Sequence, residues 1–205
     1  DEQAAFVPFA TTARTIADVD DLAASGFNTV ITELHHEIRS EPYQALFDRA
    51  QAHGMKVILW FHLAPQKPFE EWRAGLLPLV QRYKRHPALL AWYVIDEPPV
   101  TQGWAKSLVD AVKAADPYHP AFVNWAGRQW VRAKDELGGD FECEDVYPVG
   151  RMTNDNAMKL IAGLVGAMDR DAARHGKVTA FWHGFYGSYD SPREPTPTNT
   201  FTLTD

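Results

Sequence analysis

The chain has 205 residues and a mass of 23.1 kDa, with 27 Asp+Glu against 20 Lys+Arg, a formal net charge of −7 and a pI near 5.6. At 45% apolar and 23% charged residues it is one domain's worth of ordinary globular composition, which excludes a disordered or fibrous molecule. The acidic balance, with no Lys/Arg-rich run, argues against nucleic acid and anionic membrane as partners, and no apolar run approaches the roughly 20 residues that span a bilayer.

The opening DEQAAFVPF has neither the basic nor the apolar part of a signal peptide, and without a leading Met the chain reads as processed or clipped. A possible first strand falls at residues 6–9. Residues 15–25 follow as a helix, with Ile16, Val19, Leu22 and Ala23 on one face and Gly26 closing it. FNTVITEL (27–34) is too short for a helix and carries the β-branched pair Val30 and Ile31, so it reads as a strand. A helix over 41–54 enters through Pro42 and stops at Gly54, and the strand MKVILWFHL (55–63) is nearly continuous in apolarity, as suits a strand covered on both faces.

The alternation continues with a helix at 69–83, the strand LLAWYVI (89–95), a helix at 104–115 and the strand AFVNW (121–125). A weaker helix at 129–137 precedes FECEDV (141–146); a long helix at 157–175, stopped by Gly176, leads to the last strand, VTAFW (178–182). About seven strand and helix units exceed the five or six strands of an open doubly wound sheet, so the expected fold is α/β, a (β/α)8 TIM-type barrel. Residues 1–205 are expected to form one domain with an irregular tail at 188–205. That tail has no run fit for an eighth strand, which predicts an incomplete barrel with two open sheet edges. The alternative is a strand count wrong by one, with the N-terminal segment closing the sheet.

Barrel chemistry sits at the C-terminal ends of the strands. Reading the polar residues there gives Glu33 after the second strand, His62 after the third, Asp96 and Glu97 after the fourth, and Asn124 and Trp125 after the fifth. Asp145 and Tyr147 follow the sixth, and Trp182 and His183 the seventh. Singly, each is as well explained by an ordinary hydrogen bond at a strand end; together they converge on one mouth. The most specific stretch is RHPALLAWYVIDEPP (85–99). A carboxylate pair straight after a buried strand is costly to desolvate, so Asp96 and Glu97 are expected at an open end with donors or solvent nearby. There, apolar neighbours would raise the pKa of Glu97 for acid work, whereas the bland reading has Asp96 capping the next helix and Glu97 paired with an Arg. Of the 7 Trp, Trp125 and Trp182 are close enough to the mouth to stack on a sugar ring; Trp60 and Trp92 read as core, and Trp72, Trp104 and Trp130 as helix residues packed on the sheet.

HPALLAWYVIDEP resembles the fourth-strand motif of the retaining (β/α)8 glycoside hydrolases of clan A, in which Asn-Glu or Asp-Glu, commonly followed by Pro, ends the strand. EDVYPVG (144–150) is similar to their sixth-strand motif, and GFNTV (26–30) and GMKVILW (54–60) are also similar, so the likeness covers most of residues 6–187. It implies that Glu97 is the acid/base, that Asp96 stands where the family has the Asn contacting the sugar 2-hydroxyl, and that Tyr147 lies near the nucleophile. The family's second Glu is expected at the seventh strand, where this chain reads TAFWHGFYG with His183. Glu33, Asp190 and Glu194 are the carboxylates available to replace it. REPTP (193–197) resembles the linker before the eighth unit of such enzymes, which supports truncation; relatives are often exported.

Two other readings compete. A metal-dependent hydrolase would use His62, His183, Glu33, Asp96 and Glu97, but the chain has no HExxH, and the adjacent His35 and His36 point apart on an extended chain. A non-catalytic barrel would keep a sugar-binding mouth without a nucleophile. With carbohydrate as the expected partner, no metal is expected, and the singly scattered glycines imply no nucleotide cofactor. The lone Cys143 excludes an internal disulfide, and the oligomeric state stays open.

Overall fold

The computed structural model describes residues 6, 8–34, 40–61, 69–98, 104–126, 139–146, 154–175 and 178–183. Its strands are β1 (Ala10–Ala13), β2 (Thr29–Leu34), β3 (Lys56–Phe61), β4 (Leu89–Asp96), β5 (Ala121–Ala126), β6 (Phe141–Val146) and β7 (Val178–His183). Its helices are α1 (Ile16–Ala24), α2 (Ser40–Ala52), α3 (Phe69–Tyr83), α4 (Trp104–Ala115) and α5 (Asn154–His175). The strands pair in parallel, in the unbroken order β1 to β7.

Local chemistry sets the elements. Thr15 caps α1 by accepting from the Asp18 N–H at 3.1 Å, and the Asp18 carboxylate accepts from the Thr15 N–H at 2.7 Å. These main-chain donors, with Arg14 N–H foremost, hold the Asp18 carboxyl below its ordinary value. Gly26, at φ 85, takes the left-handed turn that ends α1.

Every described helix packs on the same face of the sheet: Val19, Phe47, Leu79, Leu108 and Met168, one from each, share a core with Val57, Trp92 and Val123. The opposite face carries a second cluster of strand residues, Ile31, Ile58, Ala91, Tyr93, Phe122 and Cys143. No described helix contributes to it, yet Ala91, Tyr93 and Cys143 are 2% exposed or less. The sheet thus buries residues on both of its faces, the described helices covering one of them. Sequential parallel order with the described helices on one face is consistent with a TIM-barrel-like fold; residues 184–205 lie outside the described residues.

The N-terminal ends of the strands are tied down. Lys56 Nζ donates to Pro87 O at 2.9 Å and Lys84 Nζ to Ala115 O at 3.0 Å; Asp140 pairs with Lys113 and accepts from the Ala121 N–H at 2.9 Å. Asp116, buried beneath β4 and β5, accepts from Trp92 Nε1 at 2.9 Å and lies 2.7 Å from His119 Nδ1. These bonds fasten this end of the sheet, the end opposite Asp96 and Glu97.

The expected first strand at 6–9 is corrected. The strand is Ala10–Ala13, paired with Thr29–Thr32. Small, half-polar ATTA gives little strand signal, whereas Phe9 looked like one but stacks on Phe27 at 4.3 Å and stays largely exposed. The helix expected at 157–175 begins earlier, at Asn154. The weak helix at 129–137 and the tail at 188–205 lie outside the described residues.

Candidate functional site

The site is assembled from the end of β4. Two irregularities in this strand decide which way its side chains face. The ladder to β3 pairs Val57 with Leu89 but Ile58 with Ala91, and the ladder to β5 pairs Tyr93 with Phe122 but Ile95 with Val123. Leu90 and Val94 are thus extra residues on β4, and each bulge reverses the alternation beyond it. Because of Val94, Ile95 joins the helix-side core and Asp96 returns to the face of Tyr93.

Asp96 is held there from two sides. The Tyr93 hydroxyl donates to Asp96 Oδ1, and Asn124 Nδ2 donates to the same oxygen at 3.1 Å. Both bonds converge on Oδ1, so Oδ2 keeps its accepting capacity. Burial, reinforced by the Asp96 charge and hydrogen bond, pushes the Tyr93 phenol well above its usual value, so it remains protonated and donates. Its ring is fixed in a ladder across the face opposite the described helices, stacked on Trp60 at 5.0 Å and on Phe122 at 4.9 Å, with Phe141 5.6 Å beyond.

Asn124, 1% exposed, joins three strands. It sits opposite Asp96 on one side and Cys143 on the other. Its Oδ1 accepts from Cys143 Sγ at 3.2 Å, and its main-chain oxygen accepts from the Glu97 N–H at 2.9 Å. Glu97 is exposed and has φ 42, the single positive φ among the described non-glycine residues. That conformation costs on the order of 1 kcal/mol and persists only where its surroundings enforce it. The buried Pro98 that follows has no N–H to extend the ladder. The end of β4 therefore presents an exposed glutamate on a kinked, bonded backbone beside an aspartate held at one oxygen. Such a pair can exchange a proton with a solute and accept a hydroxyl.

Of the residues expected from the sequence, Asp96, Glu97 and Asn124 are brought together. Glu33 takes the β2 register position opposite Trp60; Trp182 stands opposite Asp145 and His183 opposite Val146 in the β6–β7 ladder. The side chains of these three, and all of His62 and Tyr147, lie outside the described residues. Trp125 is corrected: 5% exposed, it packs in the helix-side core. On a strand, adjacent residues face opposite ways, so Asn124 at the site turns Trp125 away from it. Tyr93, Trp60, Phe122 and Cys143 were missed as site neighbours: a period of two counted back from Asp96 puts Tyr93 on the opposite face, because the extra residue Val94 breaks the alternation. Among the described residues, no three His, Cys, Asp or Glu side chains are grouped to hold a metal ion, and no helix is long and apolar enough to cross a membrane.

No protein-family model matches the chain, and no curated protein matches it at a significant level. Solved structures do share its fold. A β-glucuronidase from Faecalibacterium prausnitzii superposes with a TM-score of 0.64 at 17% identity, covering 87% of this chain and 34% of that one. One from Lactobacillus rhamnosus gives 0.61 at 18%, covering 86% and 35%, and an endoglucanase from Pseudomonas stutzeri gives 0.51 at 18%, covering 67% and 55%. This chain thus spans about a third of the glucuronidase chains and about half of the endoglucanase. At such identities the likeness is one of fold: a parallel, alternating α/β sheet consistent with a TIM-barrel-like architecture, shared with glycoside hydrolases.

Proposed function

We propose that residues 1–205 form a (β/α)8-type barrel domain that hydrolyses O-glycosidic bonds of a carbohydrate, with Glu97 as general acid/base. The observation that carries this reading is the Asp96–Glu97 pair at the C-terminal end of β4, with Glu97 exposed and Asp96 bonded to Tyr93 and Asn124. The fold shared with a glucuronidase and an endoglucanase adds support.

In this reading Glu97 gives its proton to the leaving oxygen as the anomeric C–O bond breaks; where the second carboxyl is the nucleophile, Glu97 then takes a proton from the incoming water, and where that carboxyl is the base, it takes the water's proton itself. Oδ2 of Asp96 accepts a sugar hydroxyl. Glu33, Asp190 or Glu194 supplies the second carboxyl, attacking the anomeric carbon at a separation of about 5–5.5 Å from Glu97 or activating water at about 6.5–9.5 Å. His62, Tyr147, Trp182 and His183 complete the substrate contacts, while the buried Asn124 holds Asp96 in place.

The full chain, assayed on p-nitrophenyl β-glucoside, β-mannoside, β-galactoside and β-glucuronide, is expected to release nitrophenol from at least one of them. Glu97→Gln is expected to lose roughly 10²- to 10⁴-fold of that rate. Hydrolysis at the parental rate in the variant would remove Glu97 from this role. A second reading, a glycan-binding barrel without turnover, is favoured by one observation: TAFWH puts His183 at the end of β7, where the clan A resemblance implies a Glu. It predicts retardation in polysaccharide-containing gels with no nitrophenol released from any of the four.

A further inference from the structure

Tyr93 lies three residues before Asp96, and an even alternation would send the two side chains to opposite faces. The extra residue Val94 brings them to the same face, where the Tyr93 hydroxyl donates to Asp96 Oδ1. The phenol has little freedom, since its ring is sandwiched between Trp60 and Phe122, within 11° and 18° of parallel. Asn124 grips the same oxygen at 3.1 Å, and its own main-chain oxygen holds the Glu97 N–H at 2.9 Å. The left-handed backbone of Glu97 thus hangs between two anchors, the Asp96 side chain on one residue and the Asn124 carbonyl on the other.

We infer that Tyr93 is a positioning residue for the acid/base: by locking Asp96 against Asn124, its hydroxyl keeps Glu97 in the bent conformation that presents its carboxyl at the mouth. This deepens the reading of Glu97 proposed above and rests on it for the kinetic part. The physical cause is the cost of the Glu97 conformation, which no proline or glycine preference supports at that position. A backbone in such a region relaxes when its neighbours allow it, and the neighbour able to move is the carboxylate of Asp96, only partly buried. With the hydroxyl gone, that carboxylate has one donor in place of two, and the turn loses an anchor.

The test is Tyr93→Phe, which removes one oxygen and leaves the ring ladder intact, read by amide hydrogen exchange on the full chain. The Glu97 amide is expected to exchange at least about tenfold faster than in the parent, as the loss of one charge-assisted hydrogen bond predicts. The amides of Val57 and Leu59 in β3 should keep their rates. Asp96→Ala is expected to give the same acceleration, with no further gain in the double variant. On whichever aryl glycoside the parent hydrolyses fastest, kcat should fall about tenfold while KM stays within about twofold. An unchanged Glu97 amide, or strand amides that all accelerate together, would overturn the inference, as would local acceleration with unaltered kcat. If the parent hydrolyses none of the four glycosides, it is the acid/base reading that fails, and the exchange rates alone decide whether Tyr93 holds the turn.

Discussion

Asn124 stands directly across the β4–β5 ladder from Asp96 and donates to its carboxylate at 3.1 Å, while its main chain holds the next residue, Glu97, at 2.9 Å. One buried residue thereby serves side chain and backbone of the acidic pair together, and its amide reaches Cys143 on β6 as well. The acidic pair is fastened to the neighbouring strand before anything binds, and such preorganisation is what an electrostatic site needs.

Replacing Asn124 by Leu keeps the volume and removes every side-chain bond at once. Asp96 and Cys143 each lose a partner in a place where water has little access. The expected cost is about 1–3 kcal/mol in urea unfolding, with an unchanged m-value. A cost under about 0.5 kcal/mol would show that the amide carries no structural weight.

Phe122 closes the Trp60–Tyr93 stack on the face opposite the described helices. Phe122→Ala would open a cavity in a layer that no described helix covers, at an expected cost of about 3–5 kcal/mol. Tyr118, 90% exposed, is the matched control: Tyr118→Ala should stay within about 0.5 kcal/mol. Equal effects in thermal unfolding would contradict the burial of the ladder.

Asp116 supplies a pH signature. Burial pushes its carboxyl up, but the donors Trp92 Nε1, His119 and the Tyr118 N–H outweigh this and leave it below its ordinary value of 3.8. A group whose pKa is lower folded than unfolded binds fewer protons when folded, so it contributes stability above the ordinary value. That contribution fades as pH drops through the folded value. Denaturation midpoints of the parent should therefore fall between about pH 5 and pH 2. Asp116→Asn should be less stable than the parent at neutral pH and show a shallower decline; parallel curves would refute the linkage.

Two glycines should respond in opposite senses. Gly139 has φ 115, and a Cβ there would meet Ala121 O at 3.4 Å, so Gly139→Ala is expected to destabilise by more than about 1 kcal/mol. Gly75 lies within α3 with open space around its Cβ position, so Gly75→Ala should stabilise by about 0.4–1 kcal/mol. Thermal midpoints of the two variants give the comparison directly, and a shift in the same direction for both would count against the backbone geometry described.

Much of the architecture was legible because short apolar runs alternate with amphipathic ones: α3, α4 and β6 fall at the boundaries that their periodicity predicts. The acidic pair was legible too, since two carboxyl groups after LLAWYVI have no tolerable place except an open strand end. What could not be read was the direction of side chains inside that run. Every residue of LLAWYVI is apolar, so nothing in it marks Leu90 or Val94 as the extra residue, and Tyr93 looked like plain core. Trp125 shows the reverse failure: it is an aromatic beside a site residue, and its parity alone would have sent it to the helix side.

The extra residue Val94 also bears on transplantation. A designer who grafts the acid pair by counting back from it in even steps will pick partners from the wrong layer, because the strand changes phase between Tyr93 and Asp96. The transferable module is the odd-length segment from Tyr93 to Glu97 with Asn124 across from it, and any host strand must accept an interruption at that point or the two carboxyl groups will exchange places.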